Sequence, residues 1–341
     1  MNQIFLLFIY SAKSVGIILI AAFAGAILIK TNVIKRESLQ TLSKLVFFLM
    51  LPCLLFTKVA KSVHLESIAQ FYILPVSCIL YIFGGLFLGY LAAKIFKVRK
   101  EIFPLPVAAS GFGNSGFIPI PLIAAICAIV PVLAKNPNSE TLGISYISVY
   151  LLGFSPLMWT VGYSLISGRK LNKISMAQVF TPPVIGMLLG VLVGIVPFLK
   201  NSICQNTGLA HPLFKAVEII AQGTIPCAII ILGGNFASSK IGRPESFKPI
   251  ITAAAIKLVL LPLLAIFYVK FLFSVGLLEK SLLLALVLVI EAAVPPANNL
   301  VVICTLEKNH ENNMTGILFW NYMISIVSMT VYIMLALWIF Q

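Results

Sequence analysis

Apolar runs of about 20 residues recur from one end of this chain to the other, each long enough to cross a hydrocarbon core of about 30 Å as a helix. That recurrence constrains the fold more than any motif. Inside a bilayer the backbone has to satisfy its own hydrogen bonds, so runs of this kind span as helices. The composition agrees: 60% of the 341 residues are hydrophobic and 10% charged, against roughly a quarter charged in soluble domains. A chain so poor in polar groups cannot cover a water-facing surface. The expected class is an all-α polytopic membrane protein, with no soluble domain within these residues.

Ten spans fit the hydropathy: 4–29, 41–59, 71–93, 104–133, 141–166, 181–199, 212–235, 248–273, 281–305 and 314–340. The N-terminal stretch MNQIFLLFIYSAK has neither a basic leader nor a small-residue cleavage site, and it reads as the first span, not as a signal peptide. Fifteen Lys and Arg residues follow odd-numbered spans, Arg169, Lys170 and Lys173 among them. Six follow even-numbered spans: Lys58, Lys61, Lys135, Lys200, Lys215 and Lys280. The positive-inside rule then puts the odd-numbered connectors in the cytoplasm and both termini outside. The same scatter argues against nucleic acid as a partner. The net charge of +14 is not gathered on one element among aromatic platforms. Cys53, Cys78, Cys127, Cys204, Cys227 and Cys304 show no CxxC or Cys/His spacing. They read as small packing residues, not as metal ligands.

The two halves of the chain resemble each other. LPCLLF, with Pro52 and Cys53, is matched by IPCAII, with Pro226 and Cys227, 174 residues on. GFGNSGFIPIPL, with Pro119 and Pro121, is matched by EAAVPPANNL, with Pro295 and Pro296, at an offset of 175 from Pro121 to Pro296. The halves are 1–166 and 181–341, joined by a cytoplasmic connector, 167–180. With five spans each, the second half has to enter the membrane from the opposite side, which makes a 5+5 inverted repeat.

Spans four and nine carry the chemistry. Gly111, Gly113, Asn114, Ser115 and Gly116 precede Pro119 and Pro121 in one; Pro295 and Pro296 precede Asn298 and Asn299 in the other. Proline removes a donor and clashes with the preceding turn, and glycine weakens a helix further, so both spans should unwind near mid-membrane. Irregular backbone at that depth persists only against protein or a wet cavity, so the two broken helices are expected to cross. The half-helix N-termini at such a crossing suit an anion, and Asn114, Ser115, Asn298 and Asn299 are the candidate substrate ligands. Each Asn also has a purely structural role open to it, capping the break or joining two helices.

Among the ionisable residues inside the spans, three stand out: Lys13, Lys257 and Glu291. Lys13 reads as a lysine that snorkels to the interface. Glu291 either pairs with Lys257 across neighbouring helices or takes a coupling ion, sodium or a proton. His64, His211 and His310 sit in or near connectors, where solvated imidazole is expected. No nucleophile–base pair, metal cluster or phosphate loop is present; Gly113-Asn114-Ser115-Gly116 lacks the lysine of a P-loop. An enzyme or an ATP-driven pump is therefore not expected, and no cofactor is.

GNSGFIPIPL in span four, AAVPPANNLVV in span nine and KLVLLPLL at Lys257–Leu264 resemble the auxin efflux carrier family over essentially the whole chain. The resemblance is to its bacterial branch, whose members are regarded as permeases for malate, malonate or related acids. It implies a fold like those of plant auxin carriers, bile-acid symporters and sodium/proton antiporters. Spans one, two, six and seven would form a scaffold, and spans three to five and eight to ten a mobile transport domain. Asn114 would match the family's span-four Asn. One of Pro119 and Pro121, and one of Pro295 and Pro296, would mark the crossing. It also implies a bacterial-type inner membrane, a small organic anion as substrate and a second copy of the chain as a partner through the scaffold. The long central loop of the plant branch has no counterpart in 167–180.

The expected function is secondary transport of a carboxylate by elevator-type alternating access. A sodium-coupled carrier like the bile-acid symporters is the nearest alternative. A channel or a membrane-embedded ligand sensor is the alternative from other classes, but a channel needs a continuous pore. A sensor needs an output domain, for which these residues leave no room. The charge bias yields a direct test of orientation. A cysteine placed at Asn172 should resist an impermeant maleimide in intact cells while one at Asn136 reacts; equal labelling would invert the topology.

Overall fold

The computed structural model describes residues 3–63, 71–168, 180–238 and 246–341, so His64 and most of the connector at 167–180 lie outside the described residues. The described residues are helical throughout, with one isolated β-bridge. In chain order the main helices are α1 (Gln3–Lys30), α2 (Glu37–Ser62), α3 (Ile73–Ile95), α4 (Pro104–Gly111), α5 (Pro119–Ile129) and α6 (Ser139–Ser167). They continue with α7 (Pro182–Ile195), α8 (Pro197–Cys204), α9 (His211–Asn235), α10 (Lys248–Ser274), α11 (Leu282–Ala293), α12 (Asn299–Leu306) and α13 (Glu311–Phe340).

Seven of these, α1, α2, α3, α6, α9, α10 and α13, are long and apolar enough to cross a membrane, and α7 with α8 makes an eighth if a bent pair counts as one span. The remaining expected spans, four and nine, fall on the pairs α4/α5 and α11/α12, whose members are each too short to cross alone. The sixth expected span, 181–199, is not straight: α7 and α8 meet at 108°. Val196 precedes Pro197, and a residue before proline is driven out of the helical region; its φ and ψ are −96° and 105°.

Proline shapes three intact helices as well. Each contains a π turn, Val46–Met50 in α2, Met158–Gly162 in α6 and Ala255–Leu260 in α10, beside Pro52, Pro156 and Pro262 respectively. In α2 and α10 the proline cannot bond to the carbonyl one turn back, and the widened turn before it absorbs the mismatch without breaking the helix.

The most extensive helix contacts are α1 against α9 and α2 against α7. Small residues make both possible, as is usual where no hydrophobic effect drives helices together. On α7, Gly186 and Gly190 face α2 at a spacing of four; a Cβ on either would lie 2.5 Å from the Pro52 carbonyl oxygen or 2.8 Å from that of Phe56. The opposite extreme is α11. Every residue from Leu283 to Ala293 is buried, as expected of a helix that is apolar all round. It stands at the centre of a group with α3, α6, α10 and α13. Large apolar side chains such as Ile20, Phe23, Phe87, Phe267 and Val327 point outward. In water they would form a costly surface; in a bilayer they meet acyl chains.

Candidate functional site

The two unwound segments meet. Gly113 and Pro296 form an antiparallel bridge, in which the Asn114 amide donates to the Pro295 carbonyl at 2.8 Å and the Ala297 amide to the Phe112 carbonyl at 2.9 Å. Four half-helix ends converge there: the C-termini of α4 and α11, and the N-termini of α5 and α12. The crossing prolines are therefore Pro295 and Pro296. Pro119 and Pro121 instead occupy the first turn of α5, where a missing amide hydrogen costs nothing and the fixed φ suits the helix start. The residue of span four that makes the bridge is Gly113.

The asparagines tie the breaks together from their side chains as well. Asn114 is buried; its Nδ2 donates to the Tyr322 hydroxyl at 2.6 Å, and its Oδ1 accepts from the Phe117 amide at 3.2 Å. The Tyr322 hydroxyl in turn donates to Asn298 Oδ1 at 3.0 Å. Tyr322, on α13, thus connects the two breaks. Sequence does not single it out, because a tyrosine in a long apolar run carries no local signal of a partner 208 residues away. Asn298 is the N-cap residue of α12 but makes no capping bond with its side chain.

Lys257 sits on the π turn of α10, buried, with its Nζ packed against Gly113. A Cβ on Gly113 would lie 2.7 Å from that nitrogen, so the glycine makes room for the ammonium as well as for the break. The pairing expected of Lys257 with the Glu291 side chain does not form. The ammonium donates instead to the Glu291 backbone carbonyl, at 3.3 Å, in the last turn of α11. The reason is geometric: an ammonium is drawn to a helix C-terminus, where carbonyls lack intrahelical partners. The Glu291 side chain is fully buried, and neither carboxylate oxygen has a hydrogen-bond partner among the described residues. Lys13, by contrast, lies on an exposed face of α1.

A cleft opens onto the crossing. Asn114, Ser115, Asn298 and Asn299 all line it, together with Gly113 and Gly116. Its far wall is apolar and comes from helices the motifs did not implicate: Phe47, Leu51 and Leu55 on α2, Leu151 and Phe154 on α6, Val184 and Met187 on α7. Ser148 and Ser155 add hydroxyls, and among the described residues no charged side chain lines the cleft. The wall residues lie in the N-terminal and middle parts of α2 and the first turns of α7. Beyond them lies the C-terminal end of α2. Lys58 forms an ion pair with Glu140 at 3.0 Å, and its carbonyl accepts from Ser145 at 2.9 Å.

This architecture, two broken helices crossing beside a cleft in an apolar bundle, suits a carrier. A family model described as a membrane transport protein matches residues 10–178 and 169–333. The chain belongs to that family. It is a family of transporters and not an enzyme class, and it agrees with the resemblance of the motifs to auxin efflux carriers. Among relatives, the chain is 26% identical to Protein PIN-LIKES 1 of Arabidopsis thaliana, over 98% of this chain and 80% of that one. It is 24% identical to Protein PIN-LIKES 3 of the same plant, over 98% of both. It is 23% identical, over 91% of both chains, to an uncharacterized transporter of Saccharomyces cerevisiae. The chain is accordingly an integral membrane protein of a transporter family.

The Asn114–Tyr322–Asn298 chain generates a stability prediction. Tyr322→Phe removes the shared hydroxyl and leaves the buried Asn114 amide and the half-buried Asn298 amide without it, which costs about 1–3 kcal/mol. The melting temperature in detergent should fall by several degrees; an unchanged value would mean that the breaks do not depend on this link.

Proposed function

We propose that the protein is a secondary carrier for an organic anion with one carboxylate and an apolar body, bound in the cleft at the crossing. The observation that carries this reading is the lining of that cleft. Four neutral amides and hydroxyls, Asn114 and Ser115 in the span-four break and Asn298 and Asn299 at the N-terminus of α12, face a wall of Phe47, Leu51, Leu55, Phe154 and Met187. The N-terminus of α12 supplies N–H groups and partial positive charge suited to one carboxylate. The wall suits an aromatic or aliphatic group. A dicarboxylate such as malate would bring a second charge into a space with no cationic side chain, and burying an unpaired charge is prohibitive. The wall therefore favours a monocarboxylate over the dicarboxylates that the bacterial branch suggests.

The same reading takes α4/α5 and α11/α12 as spans four and nine, and α7/α8 as span six, making ten spans in a 5+5 inverted repeat. The scaffold is then α1, α2, α7, α8 and α9, and the cleft lies between it and the remaining helices. With the orientation given by the charge bias, the cleft faces the cytoplasm and the Lys58–Glu140 pair closes the outer side. Alternating access follows by sliding the crossing, as one body, along the scaffold.

Counterflow in proteoliposomes tests the substrate class. Phenylacetate should exchange and malate should not, and Asn298→Ala should weaken phenylacetate by about 5- to 30-fold, the equivalent of one neutral hydrogen bond of roughly 1–2 kcal/mol. Malate exchange without phenylacetate exchange would overturn the assignment. Domain movement has its own test. With the six native cysteines removed, Lys58→Cys with Glu140→Cys should form a disulfide that stops transport, and reduction should restore it. Undiminished transport in the cross-linked protein would exclude the moving domain.

A further inference from the structure

Behind the crossing, on the side away from the cleft wall, lies a group of buried polar residues that substrate contact does not use. Glu291 is at its centre. Lys257 reaches it from α10, Cys78 and Tyr81 from α3, Tyr150 from α6, and Ser115 from the break itself. Of these, Lys257 and Glu291 are the groups that carry charge near neutral pH; the thiol and phenols are neutral there. The Tyr81 hydroxyl, like both oxygens of Glu291, lacks a hydrogen-bond partner among the described residues. Ser115 lines the cleft in front and faces Glu291 behind, so it joins the two compartments.

We propose that Lys257 is a built-in cation of the anion site and that Glu291, reached through Ser115, is the proton site that switches it. The proposal rests on the anion-carrier reading above. The ammonium stands where α4 and α11 both end, bonded to the Glu291 carbonyl and pressed against Gly113. Two helix C-termini there present roughly half a negative charge each, which is a place a cation is drawn to. Lys257 fills it with a tethered one, so no inorganic cation is needed.

Glu291 decides what the cleft experiences. As a carboxylate it cancels the ammonium, and the crossing offers an anion only amides and helix ends. As the neutral acid it leaves the ammonium's charge uncancelled a few ångströms behind the backbone of Gly113, in a medium that screens poorly. Release is balanced: the carboxyl proton passes to Ser115 Oγ as the serine's own proton passes to water in the cleft, leaving one carboxylate and one hydrated proton. A proton and a monoanion therefore bind cooperatively and cross together without net charge.

The sign of the linkage is definite. Protonation raises anion affinity, so affinity rises as pH falls, and by reciprocity the bound anion holds the proton. In lipid nanodiscs, phenylacetate binding to the wild type should strengthen on the order of tenfold from the alkaline to the acid limb, a typical coupling between two sites. Glu291→Gln should bind at the acid-limb value at every pH, and Lys257→Met at the alkaline-limb value or below. Sodium should change nothing. Glu291→Asp keeps the acid and should keep the pH dependence with a displaced midpoint, so a poorly folding Gln variant does not end the test. Infrared difference spectra supply a readout that needs no substrate: a protonated-carboxyl band that follows pH in the wild type and is missing in Glu291→Gln. Wild-type pH dependence in Glu291→Gln, an unchanged band, or stimulation by sodium would overturn the proposal. If phenylacetate and other monocarboxylates do not bind at all, the carrier reading fails, and the infrared band alone decides whether Glu291 holds the proton.

Discussion

Two backbone hydrogen bonds organise this protein, Asn114 to Pro295 and Ala297 to Phe112. A helix interrupted in the middle of a bilayer exposes amides and carbonyls that lipid cannot satisfy, at several kcal/mol each. Neither broken helix could exist alone at that depth. Each satisfies the other, in a single antiparallel step, so the breaks are possible only as a pair and only in one register. The rest hangs on that register. It directs the ends of α4, α5, α11 and α12 to one point, opens the slot at Gly113 that Lys257 fills, and brings Asn114 and Asn298 within reach of one tyrosine hydroxyl. Full burial of α11 holds the point fixed while the bundle around it packs against lipid.

Much of this is legible in the sequence because the signals are local. Apolar runs mark helices, and Gly-Asn-Ser-Gly and Pro-Pro-Ala-Asn-Asn mark places where a helix cannot continue. That two such places would meet follows from the bilayer's demand on the backbone, and the four polar residues picked out on that ground line one cleft. Proline misleads in two ways. Pro119 and Pro121 are expected at the crossing because proline breaks helices; here they start one, and the glycine six residues earlier makes the bridge. Pro197, inside an unbroken apolar run, bends the sixth segment by 108°, which hydropathy does not register. The apolar wall of the cleft is invisible for a different reason. Phe47, Leu51 and Met187 are common residues in ordinary spans, and only long-range packing turns them toward the site.

For Glu291 and Lys257 the sequence leaves a side-chain pair open as one of two readings, and the bond that forms is a different one. Charge in a membrane invites pairing, and side chains of opposite sign on adjacent helices suggest a salt bridge. The backbone offers the lysine something better placed, the unpartnered carbonyls at the end of α11. Sequence contains the two charges but not the helix terminus between them, because that terminus exists only once the break has formed. A π turn in α10 carries Lys257 at this point, and such turns alter which way a residue on a helix faces.

The absence of charge from the cleft lining is itself informative for a carrier of the kind proposed. Such a protein has to move its site across the membrane loaded and also empty. An arginine in the cleft would bind a carboxylate tightly, but the empty site would then carry a bare guanidinium through a low-dielectric path, at high cost. Asparagine amides, a serine hydroxyl and helix N-termini avoid that. Their dipoles are fixed in place, satisfy one another when no ligand is bound, and turn to an anion without changing the net charge of the moving body. Lys257, behind the backbone of the crossing, donates to the backbone carbonyl of Glu291 at the end of α11. In the proposed carrier, a charge placed there, out of the cleft yet close to it, would let the same body be neutral when empty and attractive to an anion when Glu291 is neutral.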